Sequence, residues 1–184
     1  MKFYRLGILT ALPTLLTAVL ASVALAAVVS PGTYTPTADS FNPADAPGSS
    51  HVTSGTIACV VAADRSIDCG AYVLGGVGHT NAVVLLTASY SATIDCFNSG
   101  TNRNNPVESH TTNFSASSMA TVTSTRNGQL SVPTQSVSPF SAPQVCPNPN
   151  WTPVIRDGTV TLDAFKYTLT FEGAGAPYIT IAAP

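Results

Sequence analysis

His51, His79 and His110 are the side chains of this sequence best suited to hold a metal or to move a proton near neutral pH. No two of them stand in an H-x-x-x-H or H-E-x-x-H spacing, so the ligand pair of a helical metal site is not encoded. All three fall on stretches read as loops or as an N-terminal arm. Asp64-Arg65-Ser66-Ile67-Asp68 places oxygen side chains at alternate positions, as a calcium loop begins. Cys69 stands where that loop needs its glycine, and no closing glutamate follows, so the stretch reads as a solvated hairpin turn. Gly75-Gly76-Val77-Gly78-His79 is glycine-rich, but no helical pattern follows it to aim backbone amides at a phosphate. It is expected to be a turn between strands. Among the many serines no G-x-S-x-G nucleophile elbow occurs. Asp95 and Asp157 offer a carboxylate pair of the kind that cleaves glycosidic bonds, set against nine acids in all, each of them suited to a surface. The expectation is a chain with no catalytic residue, no cofactor and no metal.

Cysteine, proline and tryptophan concentrate instead in "CPNPNWTP", residues 146–153, which holds the chain's one tryptophan. Four cysteines permit three pairings. Cys59 and Cys69 fall on adjacent predicted strands joined by a short turn, where a cross-strand link is easy; Cys96 is left for Cys146. Pro147 and Pro149 would then stiffen the chain leaving that bridge, and Trp151 would pack beside it, as buried tryptophans do beside disulfides. The segment is read as a clamp on a loop. A second reading makes Trp151 an exposed recognition residue, with Asn98, Asn102 and Arg103 of the polar 98–109 loop as its companions.

The start of the chain says where the protein goes. Lys2 and Arg5 precede an apolar stretch that ends in Ala24-Leu25-Ala26, the pattern of a secretory signal peptide over residues 1–26. Left uncut, the leader would be long enough to anchor in a bilayer. Its removal takes two of the seven basic residues and none of the nine acids, so the mature chain carries five minus nine, or −4. No Lys/Arg cluster remains to neutralise phosphates, which excludes the usual nucleic-acid interface and leaves no polybasic membrane contact after cleavage. Charged residues make up 9% of the chain while Ser and Thr fill roughly a quarter. Hydroxyls must wet this surface. All four cysteines follow the leader, and an even number in an exported chain means two disulfides.

These side chains have to be carried on strands. Residues 27–52 are rich in Pro, Ser and Thr and read as an extended arm, with a short strand at 33–35 joining a sheet edge. Residues 53–184 form the domain. Leu86, Ala88, Tyr90, Ala92, Ile94 and Cys96 alternate with Thr87, Ser89, Ser91, Thr93 and Asp95, a two-residue period that marks a half-buried antiparallel strand over 86–97. So long a strand suggests a bulge or a change of sheet along it. Leu162 and Ala164 share one parity while Phe165, Tyr167, Leu169 and Phe171 share the other, which requires an extra residue, placed at Ala164 and Phe165. Lys166, Thr168, Thr170 and Glu172 would then face water. Asn127-Gly128 between 119–125 and 129–132 is a hairpin signal. Further strands are expected at 55–61, 66–74 and 178–182. The fold class is all-β, an antiparallel immunoglobulin-like sandwich with two disulfides; a closed β-barrel is the alternative.

"CFNSGTN", "RNG" and "CPNPNWTPVIRD", followed by a Thr/Val-rich strand pair, together resemble a group of small secreted bacterial proteins, mainly from high-GC Gram-positive organisms. In that group a Cys-x-Asn leads into Gly-Gly-Asn, then an Asn-Gly turn, then Cys-Pro-Asn before a Trp. Ser99-Gly100-Thr101-Asn102 stands here in place of Gly-Gly-Asn. The resemblance covers roughly residues 70–173 and implies an exported β domain with no catalytic residues to carry over. The expected function is that of a secreted, non-catalytic structural, adhesive or binding module, partnered by cell-envelope or glycan surfaces. The alternative is a small secreted hydrolase or an enzyme inhibitor that works through the 98–109 loop.

Overall fold

Strand β6 (Ala82–Asn98) is the spine of the molecule. Every even-numbered residue from Ala82 to Cys96 is buried, and the hydroxyl-bearing odd positions face outward, as the two-residue period dictates. The computed structural model describes residues 28–98, 100 and 105–184. The predicted leader, and positions 99 and 101–104 of the 98–109 loop, lie outside the described residues. The other strands described are β1 (Gly32–Tyr34), β2 (His51–Gly55), β3 (Cys59–Val61), β4 (Ile67–Cys69), β5 (Tyr72–Gly75), β7 (Glu108–Val122), β8 (Leu130–Val132), β9 (Gln135–Val137), β10 (Trp151–Ile155), β11 (Thr161–Phe171) and β12 (Ile179–Ala183).

All their pairings are antiparallel. A five-stranded sheet runs β10-β6-β11-β12 with β7 on the other side of β6; the smaller sheets are β1-β3-β4-β9 and β2-β5-β8. Residues of all three sheets meet in one apolar core. The result is an open antiparallel β-sandwich, not a closed barrel. Each large apolar side chain fully withdrawn from water contributes about 1.5–3 kcal/mol, and Leu86, Leu162, Leu169, Leu74, Leu130 and Ile179 are all 0% exposed. Two phenols deep in this core satisfy one another: the Tyr72 and Tyr167 hydroxyls share a 3.0 Å hydrogen bond. Burial pushes both phenols above their ordinary range.

Both disulfides form as read, Cys59–Cys69 and Cys96–Cys146. No helix among the described residues is long and apolar enough to cross a membrane. A pair of bridges in a small β-sandwich is compatible with an extracellular protein.

Several elements differ from expectation. The spine is longer than 86–97 and carries no bulge: its register with β7 is one-to-one from Ala82↔Val122 to Cys96↔Glu108. On its other side the partner changes, from β11 at residues 82–91 to β10 at 94–98. The bulge falls between Leu162 and Ala164, earlier than placed, and leaves Asp163 unmatched. Thr168 is buried rather than water-facing, because β11 is an interior strand and Leu85 and Thr180 flank that threonine on either side. The runs 55–61 and 66–74 each break in two. β3 and β4 pair in one sheet while β2 and β5 pair in another. The Asn-Gly turn closes, with Thr125 N–H donating to Gln129 O at 2.8 Å and Gly128 at φ 69°, yet its flanking strands do not pair. β7 stays with β6, and β8 joins β5.

Residues 28–50 lie against the sandwich. Val29 is buried and donates its N–H to Leu162 O at 2.8 Å, Tyr34 meets Phe165 edge to face, and Phe41 bridges to Ile179. Two single-turn 3-10 helices, Ala38–Ser40 and Pro43–Asp45, fold this stretch back toward β2.

Candidate functional site

β10 and β11 occupy successive lengths of one edge of β6, so the chain between them, 156–160, must leave that edge and return. It does so through a turn in which Thr159 N–H donates to Arg156 O at 3.2 Å and Gly158 takes φ 73°. The excursion lifts Asp157 and Gly158 off the sheet and sends the Arg156 side chain back over it. There its Nε donates to Asp95 Oδ2 at 3.0 Å, and its Nη2 to Asp95 Oδ1 at 2.6 Å and to Ser109 Oγ at 2.9 Å. Ser109 in turn donates to Asp95 Oδ1 at 2.6 Å. Asp95 and Ser109 are opposite one another in the β6–β7 register, which is why one guanidinium reaches both.

Hydrogen bonds from Arg156 first, and Ser109 second, hold the Asp95 carboxyl below its ordinary range, and Asp95 raises the guanidinium in return. A carboxylate depressed in the folded state contributes stability above its unfolded pKa, and that contribution disappears as pH falls through the lower folded value. Arg156→Ala is therefore expected to move the Asp95 midpoint upward, toward the usual carboxylate range near about 4. Side-chain carboxyl NMR titration reads this directly; an unmoved midpoint would show that Ser109 alone sets it.

Next to this network lies a shallow cleft of about 210 Å³, assembled from three turns. The 156–160 excursion supplies Arg156 and Asp157. The β3–β4 turn supplies Asp64 and Arg65, and the single-turn 3-10 helix Pro139–Ser141 supplies Phe140. Arg65 sits at φ 71°, a left-handed conformation that non-glycine residues adopt at a cost of about 1–3 kcal/mol. The surrounding structure holds it there. Arg65 N–H donates to Ala62 O at 3.0 Å, its Nη1 to Val29 O at 3.3 Å, and the Tyr90 hydroxyl to Arg65 O at 3.2 Å. Burial pushes the Tyr90 phenol up to about 12. Asp64 Oδ1 caps the turn by accepting from the Ser66 hydroxyl at 2.6 Å and the Ser66 N–H at 3.0 Å, and these bonds lower its pKa. Phe140 is 58% exposed at the rim.

The residues singled out in the sequence distribute as follows. Cys96–Cys146 anchors a second, smaller apolar cluster of Ala92, Ile94 and Cys96, onto which a half-buried Trp151 packs. Trp151 opens β10 directly opposite Asn98, so the structure does bring those two together. Asn98 is exposed, and its Oδ1 accepts from Gly100 N–H at 3.2 Å. Asn102 and Arg103 lie outside the described residues. His79 is on an exposed turn, as read, but His51 opens β2 and His110 lies within β7, not on loops. Among the described residues no three of His, Cys, Asp and Glu converge where a metal could sit. Asp68 accepts from Ser136 of the neighbouring strand β9 instead of turning toward Asp64.

Phe140, Arg65 and Arg156 were not anticipated together. They are 75 and 16 residues apart in the chain, and the one available signal was an aromatic set between Ser138-Pro139 and Ser141 in an otherwise polar loop. No family model, curated protein or solved structure matches the chain.

Proposed function

We propose that this protein is a secreted, non-catalytic binding module that attaches to polyhydroxylated material of the cell envelope, with the Phe140 cleft as its contact point. The carrying observation is an exposed aromatic ring beside two guanidinium and two carboxylate groups in one cleft. A sugar ring presents an apolar C–H face that packs on an aromatic side chain, while its hydroxyls pair with charged donors and acceptors at the rim. At about 210 Å³ the cleft is smaller than the roughly 300–1,000 Å³ that enclose a whole small molecule. That size suits one unit of a polymer whose remainder stays outside.

One carboxylate of the cleft bears on binding as against acid–base cleavage. Asp64 is held below the ordinary range by hydrogen bonds from Ser66 to its charged form. Such a group stays ionised at neutral pH and makes a poor proton donor, whereas glycoside cleavage needs an acid whose pKa is raised. The outward face of β6 and β7, with Thr87, Ser89, Thr93, Thr111, Ser115 and Ser117, extends the hydroxyl-rich surface alongside.

Co-sedimentation with insoluble peptidoglycan and with neutral polysaccharide tests this reading. Phe140→Ala combined with Asp157→Asn is expected to weaken retention by roughly tenfold, the scale of one well-placed contact residue. Both side chains are exposed, so the melting temperature should barely move. Retention equal to that of the unaltered protein on every material would remove the cleft as the contact point.

A further inference from the structure

We infer that β7 is a self-association edge, along which a second copy of this chain pairs antiparallel to form a two-fold dimer with one continuous ten-stranded sheet. β7 bonds to β6 on one side, and among the described residues no strand pairs with its other side. It is 15 residues long. The other strands that end a sheet, β1, β2, β8, β9, β10 and β12, are three to five residues long. Short edges are one of the ways in which proteins keep unpaired backbone from recruiting a partner. β7 lacks most of the others: it contains no proline, lysine or arginine, its one charge, Glu108, stands at its end, and its register with β6 has no bulge to twist it away.

The strand's own pattern selects a second copy as the occupant. Its even positions, from His110 to Ala120, are half-buried toward the core side, and its odd positions are exposed. A partner strand must match that parity, or its inward side chains would be turned to water. In antiparallel self-pairing the register centred on Ser115 keeps the parity and overlaps all 15 residues. Asn113 then lies opposite Ser117, a hydrogen-bonding pair, and Phe114 opposite Ala116 across the core-side face. Thr111 lies opposite Met119, which is 69% exposed in the single chain. The charge pattern is compatible with this register. The one charged residue of β7 is Glu108, opposite Val122, so the two Glu108 carboxylates end up about 45 Å apart at roughly 3.3 Å per residue. A two-fold pairing also closes on itself and consumes both long edges at once. Because the axis is perpendicular to the sheet, both core layers stay on the same side, and the two Phe140 clefts face the same side near opposite ends of the dimer.

Sedimentation velocity on the oxidised protein is expected to show a concentration-dependent dimer. Ser115→Lys puts two ammonium groups face to face at the centre of the pairing and should weaken the dimer by roughly tenfold or more; Ser115→Glu should do the same. An equimolar mixture of the two variants should restore a dimer, now mixed. Ala182→Lys, exposed on β12 at the far side of the sheet from β7, should leave it intact. A protein that stays monomeric at every concentration overturns the proposal. So does a dimer indifferent to Ser115→Lys, and so does a dimer broken by both charges that the mixture fails to restore. If an added extended peptide binds the edge while the chain remains monomeric, the occupant is a foreign strand and the proposal is wrong.

Discussion

Replacing Cys96 and Cys146 together by alanine is expected to lower the unfolding free energy by about 4 kcal/mol, from the loop-entropy relation for a separation of 50 residues. The same replacement at Cys59 and Cys69, separated by 10 residues, is expected to remove about 3 kcal/mol. The difference between the bridges should exceed what entropy alone gives. Cys59 and Cys69 are register partners in two strands already paired through their backbones, so the hairpin keeps its ends together when reduced. Cys146 belongs to no strand, and Cys96 lies fully buried on the spine. Without the bridge, little regular structure holds the chain between the Pro139–Ser141 turn and β10. Trp151 should gain exposure, because its packing cluster is built on Cys96. In a chain of this size about 4 kcal/mol corresponds to a melting point roughly 10–15 °C lower. Trp151 fluorescence should shift to the red before the far-ultraviolet signal of the sheets is lost. A loss below about 1 kcal/mol would mean that the clamp constrains neither the unfolded chain nor the folded loop.

Where the sequence failed to reveal an element, the cause was parity or range. The β6 period was plain from Leu86 onward because hydroxyls occupy the outward positions there. Before it, Val83-Val84-Leu85-Leu86 is apolar on both faces, so alternation is present in the structure and invisible in the residue types. The split of 66–74 was readable in principle. Ile67 and Cys69 are buried on odd positions, Tyr72 and Leu74 on even ones, and a two-residue repeat can change parity only across a break. The same inversion separates Leu130 and Val132 from Gln135 and Val137, with Pro133 marking the place. The Asn-Gly turn teaches a different limit: turn chemistry fixes four or five residues, whereas strand pairing is decided by the longest complementary face on offer. For β7 that face is β6, fifteen registered pairs against the three residues of β8. The cleft was illegible for the most physical of reasons. Arg65, Phe140 and Arg156 sit on separate turns, and only the packing of two sheets brings those turns to one end.

Phe165→Ala is the second substitution expected to have a large effect, and it bears on whether residues 28–50 belong to the folded unit. Phe165 is 2% exposed and follows the Asp163 bulge, whose extra residue is what turns it into the core while Leu162 remains buried. Its truncation leaves a cavity in the main core and is expected to cost about 3–5 kcal/mol. Part of that loss should belong to the N-terminal segment. The Tyr34 ring of β1 meets Phe165 edge to face, with centroids 5.1 Å apart and planes at 83°, an arrangement worth about 0.5–1.5 kcal/mol beyond area burial. Tyr34→Ala alone removes this contact from a strand that, among the described residues, pairs only with β3. A double-mutant cycle on the two residues should therefore return a coupling near 1 kcal/mol. Limited proteolysis separates this from a generic core defect. In Tyr34→Ala and Phe165→Ala alike, cleavage within 30–40 should accelerate more than cleavage within 82–98. Equal acceleration at both places, together with a coupling indistinguishable from zero, would mean that the segment docks without contributing to the core, and that its hold comes from the Val29 and Phe41 backbone contacts.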